Sequence, residues 1–229
     1  MKPTVLLFDI DGTLVTTGGA GRRAMERAFA VRHGRADACA AFAMAGMTDR
    51  LIARAGLNAI GVEPTPHAID ALLAAYLEVR PDEVRQVDDQ RYFLHAGMPA
   101  AIDAGHARGF AIGLGTGNLR AGAKVKLERV GVWQRFDFGG FGDLHEDRAA
   151  LIRHGAEQGA SRLGVAVGAA RVVIIGDTPK DVAAALAMGA ECLGVGTSGH
   201  SPQSLLEVGA TAAFDNLGAP GAREWLLGA

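Results

Sequence analysis

The sequence predicts an α/β fold built on a doubly wound, mostly parallel sheet. Short apolar runs without alternation recur along the chain, as expected for strands buried on both faces of such a sheet. Helical patterns that end at a glycine separate these runs, and regular alternation of strand and helix is typical of doubly wound sheets. The chain has 229 residues, of which 49% are hydrophobic and 21% charged, so it can bury a core without disulfides or a structural metal.

The strand candidates are four clear apolar runs and two weaker ones. The clear runs cover residues 5–8, 111–114, 172–175 and 192–195, and the weaker ones cover residues 136–138 and 212–214. Helical patterns lie between them at residues 99–108, 119–130, 147–163 and 180–188.

Residues 15–95 contain helical patterns and no convincing strand. Apolar residues at spacings of three and four run over 24–31, 51–60 and 69–79, separated by Gly46, Gly61 and the Pro64-Thr65-Pro66 stretch. We therefore predict an α/β core of residues 1–14 and 96–229, with a helical subdomain of residues 15–95 inserted after the first strand.

Composition argues against several classes of protein. A net charge of −2 and interspersed charges give no basic stripe for nucleic acid, and no run approaches the roughly 18 apolar residues of a membrane span. The two cysteines, Cys39 and Cys192, form neither a disulfide framework nor a zinc-ligand cluster. Cysteines of this kind fit a reducing compartment, so we expect a cytoplasmic protein. The first residues become acidic too soon for a signal peptide.

The chemistry-bearing residues follow the apolar runs, where ligands bind in open α/β sheets. Asp9 and Asp11 follow the first run. The later runs are followed by a second cluster, Thr116, Gly117 and Asn118, and by a third, Asp177 and Asp181.

Carboxylates gathered at one sheet edge repel each other unless a cation neutralises them. Only oxygen ligands are nearby in sequence, which favours a hard ion, and Mg²⁺ is the available one that accepts carboxylates, waters and a phosphate together. We therefore expect a Mg²⁺ site.

The Asp-x-Asp spacing separates two roles. Asp9 can attack an electrophile covalently, while Asp11 donates and later accepts a proton. Thr116, Gly117 and Asn118 open a helix whose unpaired N–H groups and dipole favour an anion. A phosphoryl group is the anion that fits both halves of such a site.

These residues resemble the haloacid dehalogenase superfamily, through DIDGTL at 9–14, TGN at 116–118 and GDTPKD at 176–181. The resemblance spans nearly the whole chain. It implies that Asp9 is a nucleophile forming an aspartyl-phosphate and that Asp11 is the general acid and base. It also implies that Asp9, the Asp11 carbonyl and Asp177 hold Mg²⁺, that Asp181 supports this centre, and that Thr116 with its neighbouring amides binds the phosphoryl oxygens.

The inserted helices are similar to the helical type-one cap of that superfamily, which closes over the substrate. The layout is most similar to phosphoglycolate phosphatase-like hydrolases, and AGMTD at 45–49 is similar to one of their cap segments. The resemblance implies a phosphatase acting on a small phosphorylated metabolite, phosphoglycolate-like or a sugar phosphate, in a monomer or homodimer.

One residue departs from the family pattern. These enzymes place a lysine shortly before the last motif, but residues 142–151 read GDLHEDRAAL and contain none. Lys126 is our slight preference for the replacement cation, and Arg148 lies in the corresponding stretch. Lys124 and Lys180 are weaker candidates.

Other reaction classes remain open. A phosphomutase needs the same aspartates, whereas a dehalogenase has no use for Asp11, and a phospho-accepting signalling domain is about half this length. We interpret His145 and His154 as solvated side chains, and Arg22 and Arg23 either as contacts to an anionic substrate or as a solvated helix start. We interpret Met44 and Met47 as packing residues.

Overall fold

The computed structural model describes residues 2–143 and 145–228 and contains a six-stranded parallel sheet with helices on both faces. The order of its strands is β5-β4-β1-β6-β7-β8, and a separate antiparallel pair joins β2 to β3. The strand bounds are β1 Thr4–Phe8, β2 Val15–Thr16, β3 Phe93–Leu94, β4 Ala111–Gly115, β5 Gly139–Gly140, β6 Arg171–Gly176, β7 Glu191–Val195 and β8 Ala212–Phe214. The predicted fold class is therefore confirmed.

The helices lie between the strands as the glycine-terminated patterns predicted. Their bounds are α1 Ala20–His33, α2 Asp49–Ala59, α3 Pro66–Arg85, α4 Met98–Ala107, α5 Arg120–Arg129, α6 Arg148–Arg162, α7 Pro179–Ala187, α8 Pro202–Glu207 and α9 Ala222–Leu227. The side chains of Thr48, Thr65 and Asp147 accept backbone N–H groups at the starts of α2, α3 and α6. The sequence patterns did not predict α8 and α9.

The four clear strand predictions and the weaker one at 212–214 are confirmed to within one residue. The prediction at 136–138 is wrong, because the pairing strand is Gly139–Gly140. Phe136 and Phe138 are buried through side-chain packing, and Phe136 meets the Phe8 ring edge-on at 6.1 Å between centroids. The run is apolar because its side chains are buried, and within it the Phe138 carbonyl accepts the Leu114 N–H at 3.0 Å at the start of the ladder.

The core lies on both faces of the sheet because the central strand is apolar on both. Leu6 and Phe8 of β1 pack into one buried cluster, and Val5 and Leu7 pack into the cluster on the opposite face. A third cluster holds α1, α2 and α3 together around Phe29 and neighbouring apolar side chains. The three helices thus have a core of their own.

We call α1, α2 and α3 with their connections the helical segment, residues 20–85. It leaves and rejoins the rest of the chain beside the β2–β3 pair, in which Val15 pairs with Leu94. The expectation of no strand within residues 15–95 is therefore wrong for β2 and β3. Each of these strands has two residues, which is too short to show an alternating pattern in the sequence. The division at residues 15 and 95 stays a prediction. No helix in the described part of the chain is long and apolar enough to cross a membrane.

Candidate active site

The strand order places three predicted site residues side by side. β1 lies between β4 and β6, so Asp9, which follows β1, is flanked by Thr116 after β4 and Asp177 after β6. The backbone N–H of Asp9 donates to the Ile175 carbonyl at 2.9 Å, which continues the ladder past the end of β1. All three side chains are buried at the carboxyl edge of the sheet.

Three carboxyl groups form an acidic centre at this edge. Asp9, Asp177 and Asp181 each offer a carboxylate oxygen, and the three oxygens lie within 4.8 Å of one another. Asp177 accepts hydrogen bonds from Thr13 Oγ1 at 2.7 Å and from the Ser198 hydroxyl. The structure thus groups Asp181 with Asp9 and Asp177.

Gly12 allows the loop after β1 to pass directly over this centre. Its φ is +81°, and a Cβ at this position would collide with the carboxylate of Asp177. A side chain is therefore excluded both by backbone conformation and by space.

The electrostatics of the acidic centre fit a divalent cation. Burial raises the pKa of Asp9 to about 7 against the opposing effect of Arg148, and Asp181 and Asp177 raise it further. Burial and the neighbouring Asp181 likewise raise the pKa of Asp177 to about 6. Buried oxygen ligands that repel one another are the donor set that Mg²⁺ prefers in proteins. The residues present therefore fit the predicted metal.

Arg148, the first residue of α6, lies against the acidic centre. Its Nη2 is 3.0 Å from Asp9 Oδ2, and its Nε donates to Asp181 Oδ1 at 3.0 Å. The other oxygen of Asp181 accepts the Thr178 N–H at 3.0 Å and the Thr178 hydroxyl at 2.7 Å. Asp181 thereby fixes the guanidinium beside Asp9.

Asp11 lies in a second group of polar side chains. Its Oδ2 accepts Asn118 Nδ2 at 2.8 Å and also accepts Lys126 Nζ. Lys126 Nζ further donates to Asn118 Oδ1 at 2.8 Å. Burial opposes ionisation of Asp11, but the Lys126 and Arg80 cations outweigh it and lower the pKa of this carboxyl.

Thr116, Gly117 and Asn118 form the turn between β4 and α5. Thr116 Oγ1 accepts the backbone N–H of Asn118 at 3.3 Å and its Nδ2 at 2.8 Å. Because these bonds use the acceptor capacity of the hydroxyl, its proton can be donated to a bound anion. The turn also faces the helical segment, since a Cβ on Gly117 would lie 2.5 Å from the Met47 carbonyl oxygen.

The AGMTD stretch of the helical segment is held against the sheet edge. The N–H of Asp49 donates to the Gly117 carbonyl at 2.8 Å, and the Asp49 carboxylate accepts the Leu119 N–H at 2.9 Å. Arg148 Nη1 donates to the Gly46 carbonyl at 3.3 Å. One guanidinium therefore contacts both the acidic centre and the helical segment.

The four cations considered as replacements for the family lysine lie in different places. Arg148 contacts Asp9, whereas Lys126 contacts Asp11. Lys180 Nζ donates to the Ala45 carbonyl at 2.8 Å, and Lys124 forms an exposed pair with Glu128 at 3.6 Å. Both leading candidates therefore lie at the site, Arg148 beside Asp9 and Lys126 beside Asp11. The slight preference for Lys126 as the replacement cation stays a prediction.

The remaining residues singled out in the sequence lie farther from the acidic centre or at its rim. Arg22 pairs with Glu26 at 3.3 Å and lines the cavity above the site, while Arg23 pairs with Glu83 at 3.1 Å. The rings of His145 and His154 lie 5.8 Å apart between centroids. Met44 and Met47 line the cavity as well as packing within the helical segment.

Sequence reasoning missed several polar residues at the site, among them Ser198, Asp49 and Arg80. Ser198 reaches Asp177 from the loop after β7, which is itself a strand end and so carried a usable signal. Asp49 and Arg80 come from the helical segment, and Arg80 Nη2 donates to Asn118 Oδ1 at 3.0 Å. Asp49 ends the AGMTD stretch and Arg80 directly follows the helical pattern at 69–79, and no spacing rule separates either residue from a solvated charge.

The fold and the acidic centre define a doubly wound α/β protein with a carboxylate site at a sheet edge. The family model of haloacid dehalogenase-like hydrolases matches residues 6–186. The chain therefore belongs to this family. No curated protein matches the chain in sequence.

Solved structures of similar fold cover nearly the whole chain. CbbY from Rhodobacter sphaeroides in complex with phosphate is 19% identical, covers 96% of this chain and 97% of its own, and has a TM-score of 0.70. A predicted phosphoglycolate phosphatase from Haemophilus somnus is 14% identical, covers 95% of both chains and has a TM-score of 0.67. A hydrolase from Pseudomonas syringae is 16% identical, also covers 95% of both chains and has a TM-score of 0.69. At such identities the likeness concerns the fold.

Proposed function

We propose that the protein is a Mg²⁺-dependent phosphatase that hydrolyses a small phosphorylated metabolite through an aspartyl-phosphate on Asp9. The observation that carries this proposal is the placement of Asp9 between the acidic centre and the turn of Thr116, Gly117 and Asn118. A phosphoryl group between them would meet a carboxylate nucleophile on one side and hydrogen-bond donors on the other. The phosphoglycolate phosphatase and the phosphate complex among the structural neighbours support the same reaction class.

Asp9, Asp177 and the backbone carbonyl of Asp11 would hold Mg²⁺. The ion would supply charge neutralisation for the carboxylates and for the phosphoryl oxygens. Asp181 supports the centre from behind, because it fixes Arg148 beside Asp9.

Thr116 and the N–H groups at the start of α5 bind the phosphoryl oxygens. The Thr116 hydroxyl can donate to one oxygen, and the helix N-terminus favours an anion. Lys126 lies beside Asn118 at the same turn and adds a positive charge. Donors fixed in advance at such a turn stabilise the charge of the transition state.

Asp9 and Asp11 divide the chemistry between them. Asp9 attacks phosphorus, the bond to the leaving-group oxygen breaks, and that oxygen takes a proton from Asp11. A water molecule then attacks the aspartyl-phosphate and gives its proton back to Asp11, which releases phosphate and restores both carboxyl groups. The negative phosphoryl group raises the proton affinity of Asp11 when substrate binds, which offsets the effect of Lys126.

The helical segment, within residues 15–95, acts as a cap in this proposal. It covers the cavity in which the substrate would lie, and its contacts through Asp49 and Gly46 hold it to the sheet edge. Exclusion of water would protect the aspartyl-phosphate until the leaving group departs. We also propose a cytoplasmic location, supported by the buried free thiols of Cys39 and Cys192.

Hydrolysis of p-nitrophenyl phosphate, with and without Mg²⁺, tests the proposed function. Wild-type turnover should require Mg²⁺, and Asp9→Asn should lower kcat by about 10⁴ or more, because the nucleophile acts as a unit with its proton donor. Asp137→Asn, an exposed aspartate of the loop before β5, is the matched control and should retain activity.

Two results would contradict the phosphatase proposal. Unchanged turnover in Asp9→Asn would exclude the aspartyl-phosphate. Interconversion of sugar phosphates without net phosphate release would instead identify a phosphomutase on the same scaffold.

A further inference from the structure

The cavity above the acidic centre is larger than a small phosphorylated acid requires. Its volume is about 520 Å³, within the range of pockets that hold drug-sized ligands. The floor of the cavity is the sheet edge with Asp9 and Thr116, and its wall is formed by residues of the helical segment. The phosphoryl group occupies the floor, so the wall surrounds the leaving group.

The charges lining this cavity are unfavourable for a second anionic group. The lining contains the carboxylates of Asp9, Asp11, Asp49 and Asp177, and the Arg and Lys side chains Arg22, Lys126 and Arg148. Each of these three cations is already paired with a carboxylate, as the pair of Arg22 with Glu26 at 3.3 Å illustrates. Mg²⁺ would neutralise the carboxylates of the floor. Among the described residues of the wall, the carboxylate of Asp49 balances the cation of Arg22, so the wall offers no surplus positive charge to a second anionic group.

The wall is apolar where it faces the leaving group. Ala43, Met44, Met47, Ile52 and the ring of Tyr76 all line the cavity. Ile52 and Tyr76 are also part of the buried core of the helical segment, which fixes them in place.

Two polar groups of this wall, those of Tyr76 and Asp49, are engaged with each other. The Tyr76 hydroxyl donates to Asp49 Oδ1 at 3.2 Å, and Asp49 Oδ2 accepts the Leu119 N–H at 2.9 Å. A sugar would need hydrogen-bonding partners for several hydroxyl groups, and these pairs reduce what the wall can offer. An apolar group would instead be desolvated against Met44, Met47 and Ile52.

We infer, on the basis of the proposed phosphatase function, that the substrate is a phosphate monoester whose leaving group is uncharged and largely apolar. Such a leaving group packs against the apolar wall and brings no charge of its own that would be buried without a partner. The same site disfavours phosphoglycolate-like compounds, which carry a carboxylate, and bisphosphates.

A series of n-alkyl phosphates tests this inference. Ethyl, butyl and hexyl phosphate have leaving groups of nearly equal acidity, so differences in kcat/KM report contacts of the chain. Full burial of a methylene is worth about fourfold, and we expect kcat/KM to rise at least about tenfold from ethyl to hexyl phosphate. For a six-carbon chain that ends in a carboxylate, kcat/KM should be at least about tenfold lower than for hexyl phosphate, because the carboxylate is desolvated without a partner.

Two methionine variants locate the effect. Met47→Gln keeps the length of the side chain but adds an amide to the wall, and it should lower the hexyl-to-ethyl ratio at least about threefold. Met188→Gln makes the same change next to the core outside the cavity and should keep the wild-type ratio.

The outcomes separate this inference from the proposed function. Suppose that turnover of p-nitrophenyl phosphate depends on Asp9. Equal kcat/KM along the alkyl series, or a preference for phosphoglycolate or for the carboxylate-ended chain, would then overturn the inference but not the proposed phosphatase function. An equal fall of the hexyl-to-ethyl ratio in both methionine variants would mean that the ratio follows protein stability. That result would also overturn the inference. No turnover of any phosphate monoester would overturn both.

Discussion

Lys126 Nζ donates a hydrogen bond to the Asp11 carboxylate, across 115 positions in sequence. The lysine side chain is 3% exposed, so its ammonium group is held among the residues of the site. Asn118 completes the group through bonds to both partners. This arrangement keeps Asp11 ionised before substrate binds, and it orients the carboxylate that the proposed mechanism uses for proton transfer.

Replacement of Lys126 by methionine should lower kcat for p-nitrophenyl phosphate about 10²-fold, since one charged donor at the phosphoryl site is lost. Lys124→Met is the matched control, because Lys124 lies on the same helix in an exposed pair with Glu128. It should retain wild-type activity. Equal activity in the two variants would exclude a role for Lys126 in the reaction.

Substitutions of Arg148 should lower activity by amounts that depend on the charge and the shape of the new side chain. Arg148→Lys keeps a positive charge near Asp9 but cannot also reach Asp181 and the Gly46 carbonyl with a planar fork, so kcat/KM should fall about 10-fold to 100-fold. Arg148→Met removes the charge and should cost about 10³-fold or more. Arg153→Met, on the exposed face of the same helix, should have wild-type kinetics. Identical losses in the lysine and methionine variants would contradict this ordering.

The contact between Asp49 and Leu119 predicts a stability effect. Asp49→Ala removes the acceptor of a buried backbone N–H and of the Tyr76 hydroxyl, so the free energy of unfolding should fall by about 1–3 kcal/mol. Urea denaturation measures this change. Asp70→Asn breaks only an exposed ion pair with Arg50 and should cost less than about 1 kcal/mol. A larger loss at Asp70 would contradict the assignment.

The sheet could be predicted from the sequence because a central strand is buried on both faces and is therefore apolar along its whole length. Leu6 and Phe8 face one cluster and Val5 and Leu7 face the other, so β1 is apolar throughout. The position of Asp9 at its end follows directly from the end of that run. Local sequence therefore determined both the strand and the start of the site.

The cation partners could not be predicted in the same way, because they depend on where distant elements pack. Lys126 and Lys124 occur in one helical pattern, and only the packing of α5 decides that the first is buried and the second exposed. Arg148 reaches Asp9 because the chain before α6 returns to the sheet edge. The carboxylate of Asp49 reaches the site only because the whole helical segment packs against the sheet edge.

Arg80 is a buried cation that serves geometry more than stability. The residue is fully buried, and its Nε and Nη1 have no hydrogen-bond partner among the described residues. Methionine fills similar volume without desolvated charge, so Arg80→Met should leave the melting temperature unchanged or raise it by a few degrees. Loss of the bond to Asn118 should lower kcat/KM about tenfold. A fall in melting temperature of more than about 5 °C would contradict this account.

His95 predicts how stability depends on pH at the β2–β3 pair. Its ring nitrogen lies 3.1 Å from Thr16 Oγ1, and burial lowers the pKa of the imidazole below its usual 6.5. The unfolded chain therefore binds a proton at this histidine at a higher pH than the folded protein does. Stability is then unaffected by His95 well above pH 6.5 and decreases as the pH falls below that value.

Replacement of His95 by glutamine should remove this contribution while keeping a polar partner for Thr16. The free energy of unfolding, measured by urea denaturation between pH 7.5 and 5, should decrease less steeply in His95→Gln than in the wild type. His67→Gln, at an exposed position of α3, provides the matched control and should follow the wild-type curve. A steeper decrease in His95→Gln would show that the folded protein favours the protonated ring, which would contradict the effect of burial at this position.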